Sequence, residues 1–171
     1  YADTFIVSVT DSSSCTVYDT IIINEPFQLN NTLVIANISC YGFSDGILVN
    51  TTLGGISPYT VYWQGPNSYS SNLDSIANLG LGEYIITIED SNTCSISTTV
   101  TITQPEVFSV NTFAYSPLCY NDANGIVEIV CSGGTAPYTA TCGSGLISYP
   151  NNDSIIITGL SAGNISVYIT D

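Results

Sequence analysis

The chain has 171 residues, 44% of them hydrophobic, and carries 14 Asp and Glu with no Lys, Arg or His, for a formal charge of -14 at pH 7. Phosphate clamps and nucleic-acid contacts need cationic side chains, so nucleic acid is excluded as a partner. Serine–histidine and cysteine–histidine catalysis lack their usual base, zinc sites lack imidazole, and lysine-based isopeptide crosslinks cannot form.

The six cysteines show no metal-site spacing, which points to disulfides and an oxidising, extracellular compartment. No apolar run approaches the ~20 residues of a membrane span, so no membrane insertion is expected. No signal peptide is visible, and the chain reads as a mature or internal segment.

Apolar residues alternate with period two along the chain, the mark of half-buried strands, and no helical stripe interrupts them. Phe5, Val7 and Val9 form the first inward row. A turn at Asp11-Ser12-Ser13-Ser14-Cys15 leads to Val17, Ile21 and Ile23, and the segment closes at Glu25-Pro26. Next come Cys40-Tyr41, Asp45-Gly46, Gly54-Gly55 and Pro58-Tyr59, then Val61 and Trp63 on one face. Trp63 is expected as core filler, with sugar stacking as the alternative. After Leu79 and Gly82, Tyr84, Ile86 and Ile88 face inward while Thr87 and Glu89 face out. Asp90 to Cys94 turn the chain, and Ile96, Thr98, Val100 and Ile102 return to Gln104-Pro105.

These features recur. Asp11 to Cys15 returns as Asp90 to Cys94, and Glu25-Pro26 as Gln104-Pro105, each 79 residues later. Cys40-Tyr41, Asp45-Gly46, Gly54-Gly55 and Pro58-Tyr59 return at the same offset as Cys119-Tyr120, Asn124-Gly125, Gly133-Gly134 and Pro137-Tyr138. Leu79 and Gly82 return as Leu160 and Gly163, 81 residues on. Self-similarity at a fixed period marks a repeat architecture. The expected organisation is the tail of one module over 1–26, a complete module over 27–105, and a module lacking its last strand over 106–171. Residues 1–11 match residues 161–171, so the chain reads as a window on a longer array. Short strands punctuated by Gly, Pro, Asn and Asp predict an all-β fold of tandem immunoglobulin-like β-sandwiches with a period of about 80 residues.

The set Cys40, Asp45-Gly46, Gly54-Gly55, Pro58-Tyr59, Trp63, Gly82, Tyr84, Asp90, Cys94 and Gln104-Pro105 resembles the SprB-type repeat of very large secreted surface adhesins. The resemblance spans the whole chain as one complete and two partial copies. It implies an extracellular, repetitive, immunoglobulin-like protein with adhesive or structural work and no catalytic residues. Cys142 stands where the pattern has Trp.

Cys131 and Cys142 align with Thr52 and Trp63 and are expected on inward positions of adjacent strands, where a disulfide would replace the Trp as core filler. Such a bridge is worth about 2–4 kcal/mol. For Cys40 and Cys94, one bridge inside the module is the default. Seven strands, however, would put the first and last turns at opposite ends of strands about 17 Å long, beyond the ~7 Å reach of a disulfide. The alternative is bridging across module boundaries, which leaves Cys15 and Cys119 with partners outside the window.

Asp11, Asp90 and Asp171 end the same strand in each copy. They read as turn caps, or as calcium ligands at a module junction through Asp90 and Asn92. No dense D-x-D-x-D loop supports calcium, and no carboxylate pair stands out for glycoside hydrolysis. Asn30, Asn37, Asn50, Asn152 and Asn164 begin N-x-[ST] sequons and are glycosylation candidates. Asn50 is the doubtful one, because Ile129 holds its position in the next copy.

The leading functional reading is a non-enzymatic structural repeat of an extracellular filament or giant surface adhesin, whose partners are neighbouring copies of itself. The alternatives are a glycan-binding adhesin module, with Tyr62, Tyr69 and Tyr149 as candidate end-loop aromatics, and an accessory domain of a secreted carbohydrate-active enzyme. The last strand of the final module would come from a following stretch of the same chain or from a separate subunit. The duplication of residues 1–11 favours the continuous chain.

One prediction needs only composition. The reduced, unfolded chain is expected to resist trypsin, which cuts after Lys and Arg. Mass spectrometry of the digest should return the intact chain, and specific tryptic fragments would refute this.

Overall fold

The computed structural model describes residues 2–171. The protein is all-β, built of antiparallel strands with one short 3-10 turn at Pro66–Ser68. The strands are β1 (Asp3–Thr10), β2 (Thr16–Ile23), β3 (Asn30–Ala36), β4 (Gly46–Leu53), β5 (Thr60–Gly65), β6 (Tyr69–Ser71), β7 (Ser75–Leu79), β8 (Gly82–Glu89), β9 (Ser95–Ile102), β10 (Ser109–Tyr115), β11 (Gly125–Ser132), β12 (Thr139–Cys142), β13 (Leu146–Asn151), β14 (Ser154–Leu160) and β15 (Val167–Thr170).

By contact density the chain divides into two compact units. One comprises residues 1–34, 48–76 and 83–100, the other residues 35–47, 77–82 and 101–171. The division crosses several strands of the 27–105 segment. In the first unit Leu29, Leu48, Val61, Trp63, Ile76, Tyr84, Ile86, Ile88 and Val100 are buried. In the second, Ile129, Cys131, Tyr138, Ala140, Ile155, Ile157 and Leu160 form one cluster, against which Phe108, Cys142, Val167 and Ile169 pack.

Residues 27–105 form two sheets, ordered β3-β4-β7 and β6-β5-β8-β9. The period-two pattern sets which face is buried. Tyr84, Ile86 and Ile88 of β8 are buried, as are Val100 and Ile102 at the end of β9, while Glu89 is exposed. Trp63 is fully buried, and its indole N–H donates to the Leu73 carbonyl at 2.9 Å. That settles its role as core filler and removes the sugar-stacking alternative. A buried indole N–H normally finds such a partner, because an unpaired one would carry its full desolvation cost.

Residues 106–171 form a four-stranded sheet ordered β10-β11-β14-β13 and a two-stranded sheet of β12 and β15. The four-stranded order is A-B-E-D in the lettering of constant-type immunoglobulin sheets. Here β13 pairs with β14, whereas β6 in the preceding segment pairs with β5. Where β6 covers the edge of β5, the Tyr149 hydroxyl of β13 accepts the Ala140 N–H at 3.1 Å. One phenol thus stands in for a run of backbone pairing along β12.

Matched glycine pairs close both segments. Gly54 and Gly133 have φ of +68° and +72°, and a Cβ on either would collide with a backbone carbonyl oxygen, that of Gln28 or Val107. Only glycine tolerates both the left-handed backbone and the close approach. Tyr59 and Tyr138 then donate their hydroxyls to the carbonyls of Gly54 and Gly133, each at 2.6 Å.

β1 and β2 form a hairpin in register from Asp3 opposite Ile23 to Thr10 opposite Thr16. Every residue of both strands is exposed. The row Phe5, Val7 and Val9, expected to face inward, therefore covers no core here.

Trp63→Ala is expected to destabilise the fold by about 3–5 kcal/mol, since truncation leaves a cavity and strips the Leu73 carbonyl of its donor. Urea unfolding followed by circular dichroism measures this, and a loss below about 1 kcal/mol would contradict the packing described.

Candidate functional sites at the strand ends

The turns after β1 and β8 are the same device. At Asp11 one carboxylate oxygen accepts the N–H groups of Ser13 and Cys15 at 2.8 and 2.9 Å. At Asp90 the same oxygen accepts those of Asn92 and Cys94, both at 2.9 Å. In each turn the Asp N–H also donates to the Cys carbonyl at 2.9 Å. The second oxygen of Asp90 accepts the Ile56 N–H at 3.0 Å, which ties the turn to the Gly54-Gly55 loop. Asp171 makes the matching bond to the Thr135 N–H at 2.9 Å, beside Gly134. These N–H donors, that of Ile56 first, hold the Asp90 carboxyl below the usual carboxylate range.

The residues weighed as calcium ligands, Asp90 and Asn92, sit at this turn. Asp90 is buried and both its oxygens accept N–H groups, while Asn92 contributes its backbone N–H and no side-chain ligand. Among the described residues no group of three or more Cys, Asp or Glu side chains is placed to hold a metal ion.

The loops after β3 and β10 carry Cys40 and Cys119. Asp45 accepts the Ser39 N–H and hydroxyl, and these bonds, the hydroxyl's first, lower its carboxyl's affinity for a proton. Asn124 accepts the Leu118 N–H at the equivalent point. Cys40 lies two residues from Ile38, whose N–H donates to the Thr103 carbonyl just beyond β9, while Cys94 immediately precedes β9. Cys40 and Cys94 are both free thiols in this structure.

Cys131 is buried and Cys142 half-buried, on β11 and β12. The expectation that their strands are neighbours is corrected: β11 pairs with β10 and β14, and β12 with β15. The two cysteines belong to different sheets and face the same cluster. All six cysteines are thiols in this structure. Burial pushes the Cys131 thiol up, with the charge of Asp153 adding to it.

Four of the five sequon asparagines are exposed: Asn30, Asn37, Asn152 and Asn164. Asn50 is buried, and its amide is engaged on both sides. The Asn50 nitrogen donates to the Thr52 hydroxyl at 3.0 Å, and its oxygen accepts from Asn31 at 3.1 Å. Thr98 in turn donates to the Asn31 oxygen at 2.9 Å. Asn50 is therefore no glycan acceptor but part of a polar chain between strands. Sequence reasoning missed this chain, whose signal was the Asn-Thr pattern on inward positions of β3, β4 and β9.

The three candidate glycan-binding tyrosines do not gather in end loops. Tyr62 lies within β5, Tyr69 packs edge-on against Tyr84, and Tyr149 is tied to Ala140 in the other unit. A feature without a sequence signal is an open groove of about 660 Å³ lined by Ala114, Pro117, Asn121, Gly125, Leu160 and Gly163, among others.

No protein-family model matches the chain, and no curated protein matches it. Among the described residues no helix is long and apolar enough to cross a membrane.

Proposed function

We propose that this chain is a non-enzymatic structural repeat of an extracellular filament or giant surface adhesin of the SprB type, assembled head-to-tail. The observation that carries the reading is the strand-end device built around Asp11, Asp90 and Asp171. The last two tie strand ends to matched glycine loops through the Ile56 and Thr135 N–H groups. Building one device repeatedly along a chain serves stacking of similar bodies, in which each copy buries the face its neighbour offers. Exposed Asn30, Asn37, Asn152 and Asn164 are the glycan acceptors in this reading, and glycans there would help keep a chain with so many exposed apolar residues in solution.

An extracellular setting also oxidises thiols. Cys131 and Cys142 face one core from two sheets, so an inter-sheet disulfide between them would tie the sandwich of residues 106–171 across its middle. Each bridge formed transfers two electrons and two protons to an external disulfide or to oxygen. Mass spectrometry of native protein, alkylated and digested without reduction, is expected to return a Cys131–Cys142 linked peptide. Two alkylated free thiols would reject the bridge.

The function itself is tested on intact cells of the source. Antibodies against this chain, visualised by immunogold electron microscopy without permeabilisation, are expected to decorate surface filaments. Labelling confined to the cell interior would sink the filament reading.

A further inference from the structure

The loops that lead into β4 and β11 make the same two demands on a pair of adjacent residues. The first residue must offer a side-chain oxygen close to its own backbone, to take an N–H from across the loop. Asp45 accepts the Ser39 N–H at 3.0 Å, and Asn124 accepts the Leu118 N–H at 3.1 Å. Asp and Asn are the residues that present an acceptor at this short reach. The second residue must lack a side chain. A Cβ on Gly46 would stand 3.0 Å from the Leu79 carbonyl oxygen, and one on Gly125 would stand 2.8 Å from the Leu160 carbonyl oxygen. So close an approach of two backbones selects glycine.

The fold therefore calls for Asp-Gly or Asn-Gly at this point, and the chain uses one in each segment. The two dipeptides share a reactivity. With no side chain on the glycine to hinder it, the glycine nitrogen can reach the side-chain carbonyl carbon before it and close a five-membered succinimide ring. Asn124-Gly125 is the one Asn-Gly in the sequence. Asn124 is exposed and lies just outside β11, of which Gly125 is the first residue. Exposure belongs to the position, because Asp45 is exposed as well. The Asn124 amide nitrogen donates to the Asp122 carboxylate at 3.4 Å, so an acceptor stands beside the nitrogen that would leave. Asp45 is the resistant counterpart. The Ser39 donors, its hydroxyl first, hold the Asp45 carboxyl below the usual carboxylate range, and an ionised carboxylate is a poor target for a nitrogen nucleophile.

We infer that Asn124 is a site of spontaneous deamidation. The Gly125 nitrogen bonds to the Asn124 side-chain carbon, the amide carbon–nitrogen bond breaks, and the amide nitrogen leaves as ammonia with the proton that Gly125 gives up. Water then opens the ring at either carbonyl. One opening leaves aspartate at position 124, and the other leaves isoaspartate, in which the chain runs through the side-chain carbon. One water is consumed and one ammonia released, with no change of oxidation state. The aspartate product repeats the Asp45-Gly46 pattern, so the same chain already shows this loop holding it. It adds a negative charge beside Asp122, and Leu118 brings no hydroxyl to match that of Ser39. The isoaspartate product lengthens the backbone by one methylene and displaces the oxygen that takes the Leu118 N–H. The site follows from the loop itself and holds whatever the chain assembles into.

The parent chain carries the test. Folded protein is kept in warm, mildly alkaline buffer made with water enriched in heavy oxygen, sampled over weeks and digested with pepsin at low pH. Mass spectrometry is expected to show the peptide containing Asn124 deamidating several-fold faster than any peptide holding another Asn, with one heavy oxygen taken up. Aspartate and isoaspartate forms should both appear, the second accepting a methyl group from an isoaspartyl methyltransferase. A parallel sample in urea gives the rate of the unfolded dipeptide. Deamidation at Asn124 in urea with none in the folded chain would overturn the inference, because the fold would then lock the loop against ring closure. Faster deamidation at a different Asn of the folded chain would overturn it too. Asn124→Asp, which stands for one product, should keep the circular dichroism of the parent, and loss of the fold would contradict the precedent of Asp45.

Discussion

A chain with no cationic side chain can satisfy a carboxylate placed inside the fold only with N–H and O–H donors. Coulombic pairing, the usual remedy for a buried charge, is closed to it. Asp90 shows the consequence: three backbone N–H groups, from Ile56, Asn92 and Cys94, take both of its oxygens. The strand end, the following turn and the glycine loop are fixed by one side chain. The cost of burying the carboxylate is met by the same bonds that set the geometry, and none of them depends on a partner that salt could screen.

The same constraint reaches the core. Polar groups there are paired among themselves, through Thr98, Asn31, Asn50 and Thr52, and no buried side-chain nitrogen or oxygen among the described residues lacks a partner. In the 106–171 segment Val110, Ile129 and Cys131 stand where Asn31, Asn50 and Thr52 stood, and Cys142 stands where Trp63 stood. The fourth strand answers by changing sheets, and the Tyr149 hydroxyl closes the edge it leaves.

The sequence by itself determined the all-β class and the phase of β8 and β9, and it favoured the core seat of Trp63 and the capping role of Asp11 and Asp90. Each of these depends on contacts local in the chain or on the two-residue period, and a pattern such as Tyr84, Ile86 and Ile88 states it outright. Tertiary structure alone decided the rest. Asn50 reads as a surface sequon until the strands that bring Asn31 to it are in place. Cys131 and Cys142 read as neighbours until β11 and β12 are assigned to different sheets. Tyr62, Tyr69 and Tyr149 read as loop aromatics until the strands claim them. The groove at Gly125 has no pattern of its own, for it is formed by residues from β10, β11 and the end of β14. What such sites need is the distance between residues far apart in the chain, and periodicity carries no information about that distance.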